Sequence, residues 1–202
     1  KQGMTAIITG DIIDSRKGEV ETWLPLLKEV LNQYGQEPSD WEIFRGDSFQ
    51  LSVSPKKAIL AAFHIKSAIR QTKKHDVRMG IGIGEVRYNS NKTTESNGSA
   101  YIRSGECFES LKKQTLAIKT NNLELDNTIN IMLSLVLLTS NGWSSTVSKV
   151  IKKNIEHSEI KQIEIANLLN KSQSSISEAL KRGGFEEIMN MNNYYKEQIN
   201  KL

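Results

Sequence analysis

Two carboxylates stand where a fold could bring them together. The apolar run Thr5 to Ile13 (TAIITGDII) reads as a strand whose far end carries Asp11, with Asp14 a turn further on. Downstream, WEIFRGDSFQLSV holds two runs of β-favouring residues, Trp41 to Phe44 and Phe49 to Val53, on either side of Gly46-Asp47. Glycine supplies the backbone dihedrals of a tight turn, so this stretch predicts a β-hairpin tipped by a carboxylate. A strand ending in Asp11 beside a hairpin tipped by Asp47 offers two oxygen ligands to a divalent cation. That is the chemistry of a two-magnesium site for nucleoside triphosphates. The plain alternative for Asp47 is turn chemistry alone, and Asp14 is expected to cap the helix that follows rather than to bind metal.

The elements that must position these residues follow from periodicity. Val20, Trp23, Leu24, Leu27, Val30, Leu31 and Tyr34 recur at helical spacing, with Pro25 in the first turns, where a missing N–H costs little. Ser54-Pro55 opens a second helix with Ala58, Ala61, Ala62, Ile65, Ala68 and Ile69 on its inner face. Val77 to Val86 (VRMGIGIGEV) reads as a strand; Gly80, Gly82 and Gly84 have no helix directly after them and so indicate close packing, not a dinucleotide fingerprint. The order strand, helix, strand, strand, helix, strand is that of a ferredoxin-like βαββαβ domain. Residues 87 to 97 are a polar loop, a helix is expected from Ser99 to Lys113, and Leu116 to Lys119 adds a fifth strand.

Beyond about residue 121 to 126 the pattern is all helical, which divides the chain into an α+β domain over 1–123 and a helical domain over 124–202. Asp126-Asn127-Thr128 is expected to cap the first of these helices, Asn141-Gly142 to break it, and Trp143 to Ile155 to form the next. Gln162 to Arg182 (QIEIANLLNKSQSSISEALKR) then reads as a helix-turn-helix. Ile165, Ala166 and Leu169 line its first helix, Asn170 takes the turn position, Ser172 caps the second helix, and Ile176 and Leu180 face inward. Gln173, Ser174, Ser175, Ser177, Glu178 and Lys181 are left outside, where the amide and hydroxyl groups of Gln173, Ser174, Ser175 and Ser177 would meet base edges, while Lys171, Lys181 and Arg182 flank the second helix as cations for phosphate. The alternative is a helical bundle used for dimerisation. The stripe Phe185, Ile188, Met189, Asn192, Tyr195, Ile199, Leu202 is either core or a dimer helix.

Composition narrows the class. The chain has 202 residues, 25% charged, with net charge +4, thirteen glycines and three prolines, an ordinary folded protein with no polycationic tail. The single Cys107 excludes an internal disulfide or a CxxC metal site, and a buried small hydrophobe is expected there; a reducing cytoplasm fits that usage. The apolar stretch Ile129 to Leu138 is too short to span a bilayer, no signal peptide is read, and no membrane partner is expected. Lys1-Gln2-Gly3 ahead of Met4 is set aside. His64, His75 and His157 share no ligand spacing.

These pieces together resemble a divergent class III nucleotidyl cyclase domain. GDIID follows the first strand, FRGDSF forms the hairpin, RMGIGIGEV stands where cyclases carry R-x-G-I-x-x-G-x-V, and SNGSAYIRSGECFESLKK replaces the G-x-x-x-N-x-x-x-R helix. With the helix-turn-helix appended, the whole chain resembles the SatD family. The resemblance implies a Mg²⁺ site at Asp11 and Asp47 with the carbonyl of Ile12, and a nucleoside triphosphate or related nucleotide held near Asp14, Ser15, Gly46, Glu95 and Arg103. The cyclase asparagine, however, falls on Ile102, the transition-state arginine on Glu106, the base-reading lysine on Ile43 and its acidic partner on Glu95; Arg103 lies one turn from the lost arginine. The expectation is therefore a cytoplasmic, dimeric regulator that binds DNA and a nucleotide with Mg²⁺ and forms little cyclic product. The alternatives are an active two-metal nucleotidyltransferase whose helical tail mediates assembly, and a ligand-free interaction module.

Overall fold

Among the described residues five strands and eight α-helices follow one another along the chain. The structure, a computed structural model, describes residues 3–87 and 90–202. The strands are β1 (Met4–Ile13), β2 (Trp41–Phe44), β3 (Ser48–Val53), β4 (Asp76–Glu85) and β5 (Leu116–Lys119). They form one mixed sheet in the order β2-β3-β1-β4-β5, antiparallel at every step except the parallel β4–β5 pair. The helices are α1 (Leu24–Leu31), α2 (Ala58–Ile69), α3 (Ser99–Ser110), α4 (Leu123–Ser140), α5 (Ser145–Glu156), α6 (Gln162–Leu168), α7 (Gln173–Arg182) and α8 (Phe185–Ile199). The protein is α+β. Among the described residues no helix is long and apolar enough to cross a membrane.

Strand alternation sorts the sheet into two faces. Ala6, Ile8, Phe49, Leu51, Val77, Met79 and Ile81 belong to the core that α1 and α2 cover. On the other face α3 lies directly on β4, because Gly80, Gly82 and Gly84 have no side chains to hold it off. A Cβ on Gly82 would come within 2.2 Å of the Ser104 amide nitrogen, and one on Gly80 within 2.4 Å of that of Phe108. These glycines are therefore packing glycines, as their spacing predicts. The outer edge of β5 is closed by α4: Asn130 accepts from the Ile118 amide at 2.8 Å and donates to its carbonyl at 2.9 Å, as a neighbouring strand would.

Local signals err at three helix starts. Asp14 does not cap the first helix; it has φ 60 in a turn and pairs with Lys17 at 3.0 Å. A 3-10 turn over Val20–Thr22 intervenes, and α1 begins only at Leu24 with Pro25 in its first turn. The cap of α4 is Asn122, whose side chain accepts from the Leu125 amide, while the buried Asp126 carboxylate accepts the Thr120 amide at 2.8 and 3.0 Å. The next helix starts at Ser145 behind a Ser144 cap, not at Trp143. Trp143 is buried instead and donates from Nε1 to the Gly183 carbonyl at 2.9 Å.

The helix α2 is buried on all sides, every residue from Ala58 to Ile69 except Leu60. A helix apolar all round lies inside a structure, and here the sheet covers one side and α5 and α8 contribute to the other. A single hydrophobic cluster accordingly runs from Ala6 in β1 to Ile199 in α8. The stripe on α8 is core: Ile188, Asn192, Tyr195 and Ile199 are buried, and the Tyr195 hydroxyl donates to the Pro55 carbonyl at 2.6 Å.

Two polar networks join α2 to the helical half. Lys66 donates to both Asp76 oxygens at 2.8 and 2.9 Å and to Asn141 Oδ1 at 2.8 Å, and Arg70 donates to the Trp143 carbonyl at 2.9 Å. Burial lowers the Lys66 pKa, against the pull of Asp76. In the second network the buried Glu156 carboxylate meets His64, Lys152, Lys153 and Gln33. Burial would raise its pKa, but these four hydrogen bonds outweigh burial and hold it well below the usual carboxylate range.

A depressed folded-state pKa contributes stability above the unfolded value, near 4.3, which is lost as pH falls through the folded one. Glu156→Gln should flatten the loss of stability below about pH 4, read by chemical denaturation across pH. Glu156→Ala should cost about 1 to 3 kcal/mol at neutral pH, because it removes one of the two carboxylates that buried Lys152 meets and leaves it only the half-exposed Glu29.

Candidate functional site

The hairpin turn and the end of β1 meet. Arg45 and Gly46 both take positive φ, 53 and 91, and this reverses the chain so that β3 starts at Ser48 and Asp47 projects from the turn. The Asp47 carbonyl accepts the Ile12 amide at 3.1 Å, and its Oδ2 accepts the Ser15 hydroxyl at 2.5 Å. Register then places Phe44, Ser48, Asp11 and Arg78 in one row across four strands. Of the residues expected at a site, Asp11, Ile12, Ser15, Gly46 and Asp47 are thus brought together at one end of the sheet.

Arg78 is the residue that sequence reading missed there. It closes a fork on Asp11, with Nε at 3.0 Å from Oδ1 and a terminal nitrogen at 2.5 Å from Oδ2. Its guanidinium also lies 5.3 Å from the centroid of the Phe108 ring on α3. The hydrogen bonds that Arg78 donates to Asp11, with the charges of Asp11 and Asp47, raise the Arg78 pKa above its already high value despite partial burial. Arg78 was visible within RMGIGIGEV, but only the β1–β4 register shows that it faces Asp11.

The guanidinium lies where the fields of two carboxylates add. The donor set fits magnesium in kind, since carboxylate oxygens are its preferred protein ligands. Among the described residues no three His, Cys, Asp or Glu side chains converge into a ligand group. Asp11 and Asp47 are the side chains that would hold a Mg²⁺ ion here, and the ion would supply positive charge to a phosphate.

Other expected residues lie elsewhere. Asp14 is turned to Lys17. Arg103 donates to the Ile83 carbonyl at 2.7 Å; Ile83 is five residues along β4 from Arg78, about 17 Å at strand rise. Glu95 is exposed and meets Ser90 and Lys92. Ile43 packs against the core, Ile102 is 61% exposed, and Glu106 pairs with Lys119 at 2.7 Å. Cys107 is buried, which pushes its thiol up to about 11.

In the helical half α6 and α7 form a pair joined by a short turn. Asn170 holds φ 50, the left-handed turn position, and the Lys171 amide donates to the Ala166 carbonyl at 2.9 Å. Ser172 caps α7 by accepting from the Ser175 amide at 3.2 Å. Ile176, Ala179 and Leu180 are buried, whereas Lys171, Gln173, Ser174, Ser175, Ser177, Lys181 and Arg182 are exposed. The Ser174 and Ser175 hydroxyls are both turned to Ser172, at 3.0 and 2.8 Å, and Arg182 pairs with Glu178. This leaves Gln173, Ser177 and Lys181 on α7 as outward polar side chains.

Fold and site thus define an α+β protein with a carboxylate–arginine cluster at one sheet end and an outward polar helix in its helical half. The SatD family model matches residues 4–199, and the chain belongs to the SatD family. Comparison with curated proteins gives no match.

Proposed function

We propose that this chain is a DNA-binding regulatory protein whose α+β half binds a nucleotide with Mg²⁺. The strand order β2-β3-β1-β4, antiparallel throughout, supports reading that half as ferredoxin-like and similar to the cyclase domain. The pairing of α6 with α7 supports a helix-turn-helix. One observation carries the joint reading: β4 forms part of the cluster and is linked through side chains to the end of α7. Its Arg78 closes the carboxylate cluster, and its Asp76, two residues earlier, is tied through Lys66 to Asn141. Trp143, two residues after Asn141, holds the C-terminal end of α7 through Gly183.

Asp11 and Asp47 would hold the metal, which would neutralise phosphate charge. Ser15 positions Asp47, and the Ile12 amide fixes the turn that carries it. With an exposed Ile102 and an ion-paired Glu106 at the cyclase asparagine and arginine positions, binding without cyclisation is the expected chemistry. Two copies are part of this reading, because one recognition helix with few cations contacts little duplex and a twofold repeats the contacts at matched half-sites. Ile131, Leu135 and Leu138 on α4 are exposed apolar residues at helical spacing, a surface that such pairing could bury.

Fluorescent ATP or GTP should bind the full chain in the presence of Mg²⁺, and Asp47→Ala should weaken that binding by about tenfold or more, measured by anisotropy. Equal binding by both proteins would remove Asp47 from the site.

On DNA selected from a random pool, Gln173→Ala or Ser177→Ala should relax sequence preference with little effect on non-specific affinity. Lys181→Ala should weaken binding to all sequences and lower the salt slope by about one. Absence of any DNA selection by the wild-type chain would leave α6 and α7 as a structural bundle.

A further inference from the structure

The carboxylate cluster is already partly neutralised by the protein itself. Both oxygens of Asp11 are engaged by the Arg78 fork, and one oxygen of Asp47 is taken by Ser15. A metal ion approaching alone therefore finds only the second Asp47 oxygen uncommitted by side chains, and must break a two-point ion pair to reach Asp11. Charge-assisted forks of this kind are among the stronger polar contacts in proteins. Arg78 is not locked in place by burial, however: its side chain is 39% exposed and rests on the Phe108 ring. It can leave Asp11, provided that another anion receives it.

We propose that Arg78 is the resident counter-ion of this site and a gate for the metal: it excludes a free divalent cation from Asp11 and yields only when a polyphosphate arrives with the ion. This rests on the nucleotide and Mg²⁺ reading above. The exchange conserves charge pairs. Asp11 passes from guanidinium to metal, and the guanidinium passes from Asp11 to a phosphate oxygen, for which its planar donor fork is suited. The site is then selective for a metal–triphosphate complex over either component. A nucleoside has no anion to draw Arg78 away, and a bare ion has nothing to offer it. Arg78 is thus a specificity residue for the polyphosphate part of the ligand, a role that a purely structural strand-to-strand ion pair would not have.

The test uses the full chain and two independent readouts. Binding of Mn²⁺ alone is measured by the loss of its free-ion electron paramagnetic resonance signal, and binding of fluorescent triphosphate in Mg²⁺ by anisotropy. Wild type is compared with Arg78→Gln, which removes charge and fork, and with Arg78→Lys, which keeps the charge but loses the fork. Thermal melts confirm that each variant is folded. Arg78→Gln should bind Mn²⁺ alone about tenfold tighter than wild type yet bind the triphosphate about tenfold more weakly. Arg78→Lys should also gain Mn²⁺ affinity, because a point charge does not occupy both Asp11 oxygens. Wild-type Mn²⁺ affinity in both variants, with triphosphate binding intact, would overturn the gate and leave the nucleotide reading standing. Failure of every variant and of wild type to bind Mn²⁺ or triphosphate would overturn both.

Discussion

A lysine ammonium sealed inside the protein must find three acceptors or cost several kcal/mol. Lys66 is fully buried in the last turn of α2, and its three hydrogen bonds go to the two oxygens of Asp76 and to Asn141. One partner begins the strand β4 and the other ends the helix α4, so a single side chain can be satisfied only if sheet, α2 and helical half are assembled together. His64, two residues earlier, imposes a similar condition through Tyr34 on one side and Glu156 on the other. With its polar groups paired in this way, α2 can lie between two layers with almost no exposure. The hydrophobic cluster runs continuously past it.

The opposite face of the sheet is governed by the lack of side chains. Gly80, Gly82 and Gly84 draw α3 onto β4, and this places Phe108 beneath Arg78. Because α3 covers the β4 side, the row Phe44, Ser48, Asp11, Arg78 ends at a sheet margin where Asp47 and Ser15 join it. Close packing in the middle of a strand and a charged cluster at its start are thus two consequences of one glycine-rich stretch. The arrangement also separates Arg103 from the cluster, since its carbonyl partner is near the other end of the same strand.

Much of this was legible where the signal is local. Trp41 to Phe44 and Leu116 to Lys119 are strands with those bounds, Asn170 holds the left-handed turn position, and Ser172 caps its helix, because each depends on a few neighbouring residues. Asp14 and Asp126 misled for the complementary reason. Either aspartate suits a helix start by type, but the one pairs with Lys17 and the other holds the Thr120 amide. The Asp11–Asp47 meeting could be anticipated from a strand end and a hairpin tip. Arg78 could not, since its role depends on a cross-strand register that no single segment encodes. Nor could the complete burial of α2 be read from its alanines alone: its second covering surface lies about a hundred residues downstream.

The central claim is that the carboxylate end of the sheet and the end of α7 are parts of one connected unit. Hydrogen–deuterium exchange of the full chain, with and without Mg²⁺ and a non-hydrolysable triphosphate, tests it most directly. The account predicts altered exchange at residues 10–16 and 45–48 and also, through β4 and Lys66, at residues 141–145 and 173–184. A change confined to the first two segments, with the helical half untouched, would contradict it.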